Sequence, residues 1–248
     1  MLNSRRFMRT GLLLGEEGLR RLHEASVMVV GLGAVGGYAL EGLARAGVGR
    51  LILVDFDTFD ETNINRQILA LTSTIGKKKT DVAAQRVKEI NPDCVVETKD
   101  VFVNTDTIED LLREPVDFVV DAIDALNPKC CLMQMLQEKG IPFISSMGAA
   151  LKSDPSFIRL GALSKTKNCG LAKFIRKRLK KRGVDINKIT CVSSEEQVNL
   201  PETAIMESED KTQESGRIRN TLGSLPTITA IFGLTIANAV IKQLTANK

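Results

Sequence analysis

Tryptophan is absent from this chain of 248 residues, tyrosine and histidine occur once each, and aromatic residues make up 4%. Proteins that hold single-stranded nucleic acid without sequence preference stack its bases on aromatic rings. So few rings leave no obvious stacking platform. The one histidine, His23 in "RRLHEAS", precedes the first apolar run and reads as structural, so no acid–base dyad is apparent. The five cysteines, Cys94, Cys130, Cys131, Cys169 and Cys191, form no C-x-x-C pair. A structural zinc site is therefore not expected. Their odd number fits unpaired thiols in a reducing, cytoplasmic compartment better than a disulfide framework. The opening "MLNSRRFMRTGLLLGEEG" has no long apolar core, and a secretory signal is not expected. One segment requires a membrane check, since "LPTITAIFGLTIANAVI" at 225–241 carries no charge. A spanning helix needs about 20 mainly apolar residues, whereas Thr227, Thr229, Thr235 and Asn238 interrupt this one. A buried or dimer-facing helix is the expectation, and a membrane partner is not.

The rest of the composition is that of a soluble globular protein, with 43% apolar and 26% charged residues and a net charge of +4. The length allows one large α/β domain with a modest extension. Strand-like runs ("SVMVV", "RLILVD", "CVVETKDV", "VDFVVDAID", "IPFISS") alternate with helix-like runs ("YALEGLARAG", "KKKTDVAAQRVKEI", "TDTIEDLLRE", "CCLMQMLQEKG"). That alternation predicts a Rossmann-like, doubly wound, mainly parallel sheet covered on both faces. The nucleotide-binding core would occupy about 25–150 of a single 1–248 domain. Beyond it, an extension over 151–248 carries further strands at "FIRLGAL" and "KITCVSS", then the terminal apolar helix. "EEQVNLPETAIMESEDKTQESG", residues 195–216, is acidic, lacks apolar periodicity and reads as a mobile loop.

Gly31, Gly33 and Gly36 form G-x-G-x-x-G between a predicted strand and helix. The first glycine permits the tight turn, the second lets backbone approach phosphate, and the third lets helix pack on strand. Unpaired N–H groups and a partial positive charge at the helix N-terminus then face the anion. Gly31, Gly33, Ala34 and Gly36 are the docking positions on this turn. Asp55, at the end of the second strand, is placed to accept from ribose hydroxyls. A dinucleotide would be satisfied by that much. A triphosphate needs cations, and the chain continues with Asn63, Arg66 and Gln67 in "NINRQ" and Lys77, Lys78 and Lys79 in "GKKKT". Asn63 and Arg66 share one face of a helical turn; Lys77 and Lys78 read as solvated surface cations. Asp121 and Asp124 lie at the C-terminal edge of the fourth strand, where open parallel sheets bind ligands. Either a Mg²⁺ ligand or a helix N-cap fits such a carboxylate.

"GLGAVGG", "LVDFDTFDETNINRQ", "TIGKKKTDVAAQRVKEINP" and "VVDAIDALNPK" together resemble the ThiF-type, ubiquitin-activating-like superfamily of adenylating enzymes, over residues 5–150. The resemblance implies ATP and Mg²⁺ as cofactors. It implies that Asp55 holds ribose, that Asn63, Arg66 and Lys79 engage the phosphates, and that Asp124 works with Mg²⁺ in adenylyl transfer. "RFMR" resembles a family element whose arginine, here Arg9, reaches the ATP of a partner protomer, which implies a homodimer. Thr10 departs from the glutamine of that element. Within the superfamily, "DAIDALNPK", "MGAALKSDPSFIRLGALSKTKNCGLAKFIRKRLKKRGV" and "CVSSE" resemble the tRNA threonylcarbamoyladenosine dehydratases, over nearly the whole chain. Those enzymes close a carboxylate-bearing tRNA modification into a ring at the expense of ATP.

The implied chemistry starts with a carboxylate oxygen attacking the α-phosphorus of ATP to give an acyl-adenylate. Arg66, Lys79 and Asp124 are the expected catalytic residues, acting by position and charge. Cys191 lacks a basic neighbour in sequence, so a half-buried strand thiol is expected rather than a nucleophile. "LAKFIRKRLKKRG" carries seven cations, with Lys173, Arg176, Lys177, Lys180 and Lys181 as the candidate tRNA contacts. Phe174, Ile175 and Leu179 would bury its other side. Alternatives remain an activator of a small sulfur-carrier protein, an NAD oxidoreductase and a nucleotide-sensing scaffold. The first of these usually carries two C-x-x-C pairs. Sulfur- or electron-handling protein partners are left open.

Overall fold

The computed structural model describes residues 5–198, 205–206 and 221–246. Most of the acidic 195–216 segment thus lies outside the described residues.

A helix the sequence reading did not anticipate comes first: α1 (Met8–Glu24), interrupted at Gly15, whose φ of 74° is left-handed. There follow β1 (Ser26–Val30), α2 (Gly36–Ala46), β2 (Arg50–Val54), α3 (Lys79–Ile90), β3 (Val95–Lys99), α4 (Thr105–Leu111), β4 (Phe118–Asp121), α5 (Leu126–Glu138) and β5 (Phe143–Ser146). The extension adds β6 (Ile158–Ala162), α6 (Gly170–Lys181), β7 (Thr190–Ser194), β8 (Ile205–Met206), β9 (Thr221–Leu222) and α7 (Pro226–Thr245).

Seven strands form one sheet in the order β3-β2-β1-β4-β5-β7-β6. All neighbours are parallel except β6, which closes the edge antiparallel to β7. The strands β1, β2 and β4 are β-branched or apolar and buried almost throughout, as a sheet covered on both faces requires. β8 and β9 pair separately as a short antiparallel ribbon.

One face of the sheet is covered by α2, α3 and α7 around Leu40, Leu43, Leu53, Phe232, Ile236 and Val240. The other carries α4 and α5 on Met28, Ile52, Val119 and Leu132. Helix α7 is long and apolar enough by composition to cross a membrane. Here its Ile228, Phe232, Ile236 and Val240 stripe is fully buried, each side chain contributing about 1.5–3 kcal/mol relative to exposure. Small residues let α2 and α7 approach: a Cβ on Gly42 would lie 2.7 Å from Ala237, and one on Gly233 would lie 2.4 Å from the Val35 carbonyl.

Strand order reverses between β1 and β4. In open α/β sheets ligands bind outside the carboxyl ends of the strands at such a switch point. The turns after β1 and β4 hold the glycine motif and Asp124.

Candidate active site

The glycine turn is built by contact with the turn after β4. Gly31 has φ of 91°, and a Cβ there would stand 2.8 Å from the Ala122 carbonyl oxygen. A Cβ on Gly36 would stand 1.7 Å from the Gly31 oxygen and 3.2 Å from the Ala122 side chain. At Gly33 the nearest heavy atom to an added Cβ would be Gln67 Nε2 at 3.9 Å, so backbone and open space face each other there. Ala34 lies on the same turn, partly exposed.

Asp55, at the end of β2, is buried, and its Oδ2 accepts from the Leu32 amide at 2.7 Å while Oδ1 accepts from Asp57 at 2.9 Å. These bonds aim the carboxylate at the glycine turn. Burial pushes its pKa up, and Lys79 and the two amides offset only part of that. Lys79 opens α3, is nearly buried, and its ammonium donates to Asp57 Oδ2 at 2.9 Å. Gln67 is buried, and its Oε1 has no hydrogen-bond partner among the described atoms. A buried acceptor left unsatisfied costs about 1–3 kcal/mol, so an orphan beside a glycine cradle is the mark of a site shaped for a donor-bearing ligand. Gly31, Gly33, Gly36, Asp55, Gln67 and Lys79 are thus brought together.

Asn63 and Arg66 are near but turned onto their own loop. Asn63 Oδ1 accepts from the Asp60 amide at 3.3 Å as half of a capping box. The Arg66 guanidinium donates to the Thr62 carbonyl and to Asn65 Oδ1, both at 2.8 Å. Arg9 is exposed on α1. Phe7, two residues before it, packs by the end of α2 at Gly47, about 16 Å along that helix from the glycine turn. A cleft of about 360 Å³ lined by Arg6, Phe7, Arg45, Arg86, Glu89 and Ile90 also lies at that far end, outside this site.

The two aspartates after β4 differ sharply. Asp121 is fully buried and pairs with Lys129 Nζ at 2.8 Å, both side chains at 0% exposure. That pairing removes it as a metal candidate. Asp124 is exposed on the crevice turn, and the N-cap of α5 is Ala125, with no side-chain cap, so neither aspartate is the N-cap. Among the described residues no three His, Cys, Asp or Glu side chains converge. Mg²⁺ is commonly held by one or two carboxylates plus substrate phosphates. Asp124 alone therefore fits a metal that arrives with a nucleotide and not a resident metal cage. Cys191 is buried on β7, and burial pushes its thiol up to about 12 against the weaker pull of Lys129.

On α6 the buried stripe is Ala172, Ile175 and Leu179. Phe174 is 58% exposed, a correction to its expected burial: it lies about 100° around the helix from Ile175, while the i, i+3, i+7 positions already fill the face. Lys173, Lys177, Lys180 and Lys181 are exposed. Arg176 is partly buried and hydrogen-bonded to the Thr166 carbonyl at 2.9 Å and to its hydroxyl, which ties it to the protein itself.

Two residues escaped the sequence reading. Asp57 had a readable signal, since alternate residues of an extended segment share a side and "DFD" places Asp57 with Asp55. Lys129 had none, because a lysine inside "LNPKCCLM" looks like any helical cation.

Residues 5–248 match the ThiF family. The chain is 37% identical over 238 residues to a Bacillus subtilis tRNA threonylcarbamoyladenosine dehydratase, covering 96% of this chain and 94% of the relative. It is 35% identical over 251 residues to the enzyme of the same description from Escherichia coli, covering 97% and 94%. The solved structure of the E. coli tRNA N6-threonylcarbamoyladenosine dehydratase in complex with ATP superposes with a TM-score of 0.86 at 34% identity, covering 97% of this chain and 93% of that one. Family match, near full-length identity and fold agree: this chain belongs to the ThiF family.

Proposed function

We propose that this protein is an ATP-dependent tRNA threonylcarbamoyladenosine dehydratase, a single nucleotide-binding domain that cyclises the modification through an acyl-adenylate. The observation that carries the nucleotide assignment is the cluster of Gly31–Gly36, Asp55, Lys79 and the orphaned Gln67 Oε1 at the switch point. The substrate assignment rests on relatives that share over a third of their residues with this chain along nearly its whole length.

In this reading the glycine turn docks the phosphates and Asp55 accepts from ribose. Lys79 exchanges Asp57 for phosphate oxygens, while Asn63 and Arg66 turn from their loop contacts toward the triphosphate. Asp124 would hold Mg²⁺ brought by the nucleotide, which supplies charge neutralisation at the phosphates. A carboxylate oxygen of the modification bonds to the α-phosphorus as pyrophosphate leaves. A nearby group of the modification then attacks the activated carbonyl, the ring closes and AMP leaves. The sum is loss of water from the nucleoside, driven by ATP. The protein contributes placement and charge, each well-placed donor being worth about 3–4 kcal/mol. The exposed lysines of α6 meet tRNA phosphates. A homodimer would place Arg9 on the partner's nucleotide, and the compartment is cytoplasmic.

The test is pyrophosphate release from ATP with tRNA carrying the modification, with mass spectrometry of its nucleosides. Release that depends on that tRNA, together with the cyclised nucleoside, is expected. Turnover indifferent to tRNA but stimulated by a small carrier protein would move the assignment to the sulfur-carrier activators.

A further inference from the structure

We propose that Lys129 is a positioning residue whose buried ammonium clamps the 121–125 turn, and through it both Asp124 and the wall of the glycine cradle. This rests on the ATP chemistry proposed above. Lys129 is fully buried, so it does not touch substrate. Its ammonium meets Asp121 Oδ2 at 2.8 Å, the Ile123 carbonyl at 2.9 Å and the Asp121 carbonyl at 3.4 Å, which uses all of a lysine's donors. Asp121 is satisfied as fully: Oδ2 also accepts from Ser145 Oγ at 2.8 Å, and Oδ1 from the Ile123 amide at 3.1 Å.

Stability does not explain such a pair. Replacing a buried ion pair with apolar residues of similar volume is often neutral or stabilising. A cation in the first turn of α5 also opposes the helix dipole. What the network fixes is the path of residues 121–123, immediately before Asp124. Ala122 donates its amide to the Val30 carbonyl at 2.8 Å. Its carbonyl and methyl group are the surfaces that force glycine at 31 and crowd position 36. Movement of this turn therefore shifts the phosphate cradle and the Asp124 carboxylate together.

The test compares wild type with Lys129→Met, with the double variant Lys129→Met/Asp121→Asn, and with Ser145→Ala. Lys129→Met leaves a buried carboxylate unpaired and risks misfolding. The double variant removes both charges, and Ser145→Ala loosens the same network without altering charge. We measure kcat and KM for pyrophosphate release and amide hydrogen exchange across 121–125. The double variant is expected to fold, to lose about 100-fold in kcat with a smaller change in KM for ATP, and to exchange its 122–124 amides faster. Ser145→Ala is expected to move both readouts in the same direction by less. Folded variants with wild-type kcat and wild-type exchange overturn the proposal; if the Lys129 variants do not fold, Ser145→Ala decides by the same criterion. A wild-type protein that turns over no ATP sinks the functional reading instead, while the exchange arm still reports on the clamp.

Discussion

Alanine at two glycines of one turn should separate stability from nucleotide binding. In Gly36→Ala the new Cβ would lie 1.7 Å from the Gly31 oxygen and 2.9 Å from the Gly31 carbonyl carbon. Even close C–H···O contacts sit at about 3.3 Å, so the backbone must move by about 1.5 Å, and no flexible side chain can absorb it. Overpacking of this kind costs about 1–3 kcal/mol, or roughly 2–12 °C in Tm for a chain of this size. A displacement above 1 Å also lowers turnover about 100-fold. Gly33→Ala differs. Its nearest neighbour is Gln67 Nε2 at 3.9 Å and its φ is not left-handed. The methyl group fits, and the stiffer unfolded chain stabilises the fold by about 0.4–1 kcal/mol. Yet that methyl occupies the space through which phosphate reaches the amides. Loss of one charge-assisted hydrogen bond, about 1.5–3 kcal/mol, weakens ATP binding about 10- to 150-fold. Melting by calorimetry and ATP titration on the same preparations read both effects. A Gly33→Ala protein with intact Tm and wild-type ATP affinity refutes phosphate docking at this turn. A Gly36→Ala protein that melts with wild type refutes the clash.

Lys79→Met should lower pyrophosphate release about 10²–10³-fold. Because Lys79 pulls the pKa of Asp55 down against burial, the acid limb of ATP binding should move to higher pH, and an unmoved limb in an affinity titration refutes their coupling. Alanine at Lys173, Lys177 and Lys181 should raise KM for tRNA, leave ATP affinity intact, and flatten the salt dependence by about one slope unit per lost phosphate contact; an unchanged slope removes α6 from the interface. Cys191→Ala should retain turnover, since a thiol pushed up to about 12 by burial stays protonated at neutral pH; collapse of activity in a folded variant refutes that. Burial pushes the pKa of Glu41 up, but its bonds to Arg86 and Arg45 prevail and hold it below its ordinary 4.5. A depressed carboxylate stabilises the fold above the unfolded pKa and ceases to as pH falls through the folded one. Glu41→Gln should therefore destabilise the fold at pH 7 by about 1–2 kcal/mol once the exposure of both arginines is discounted, with the deficit shrinking as pH falls below 4.5; a deficit that stays constant on acidification refutes the linkage.

The core of the fold was legible because its strands are short apolar runs that only a doubly covered sheet can bury, and because each helical run has its own apolar face. α1 was not, since exposed Leu12 and Leu13 and the break at Gly15 blur its helical period. The cradle was legible for a local reason: Gly31 and Gly36 are demanded by backbone geometry within one β–α–β unit, and Gly33 and Asp55 stand at fixed spacing from them. What sequence could not supply was the present partner of each charged group. Lys79 on Asp57, Arg66 on the Thr62 carbonyl and Asn65, and Asp121 on Lys129 are contacts that spacing alone does not rank. Asp121 and Asp124, three residues apart in one motif, look equivalent as letters; burial separates them.

Two lysine–aspartate pairs at this sheet edge illustrate why that separation matters. Lys129–Asp121 and Lys79–Asp57 are nearly the same length, 2.8 and 2.9 Å. The first pair has 0% of either side chain exposed, whereas Asp57 is 47% exposed beside a Lys79 at 7%. If Lys129 left Asp121, a carboxylate would stay buried without its counter-ion, at about 3–5 kcal/mol. If Lys79 left Asp57, water would solvate the carboxylate, and the loss would be nearer the 0–1 kcal/mol of a surface pair. A phosphate oxygen offered to Lys79 has only that small loss to outweigh, and the buried ammonium gains a stronger acceptor in a place where screening is weak. The same chemistry at Lys129 would have to break a closed network. Solvent access to the acid, more than the identity or length of the pair, thus leaves Lys79 able to exchange its partner for a phosphate oxygen while Lys129 stays held in its network.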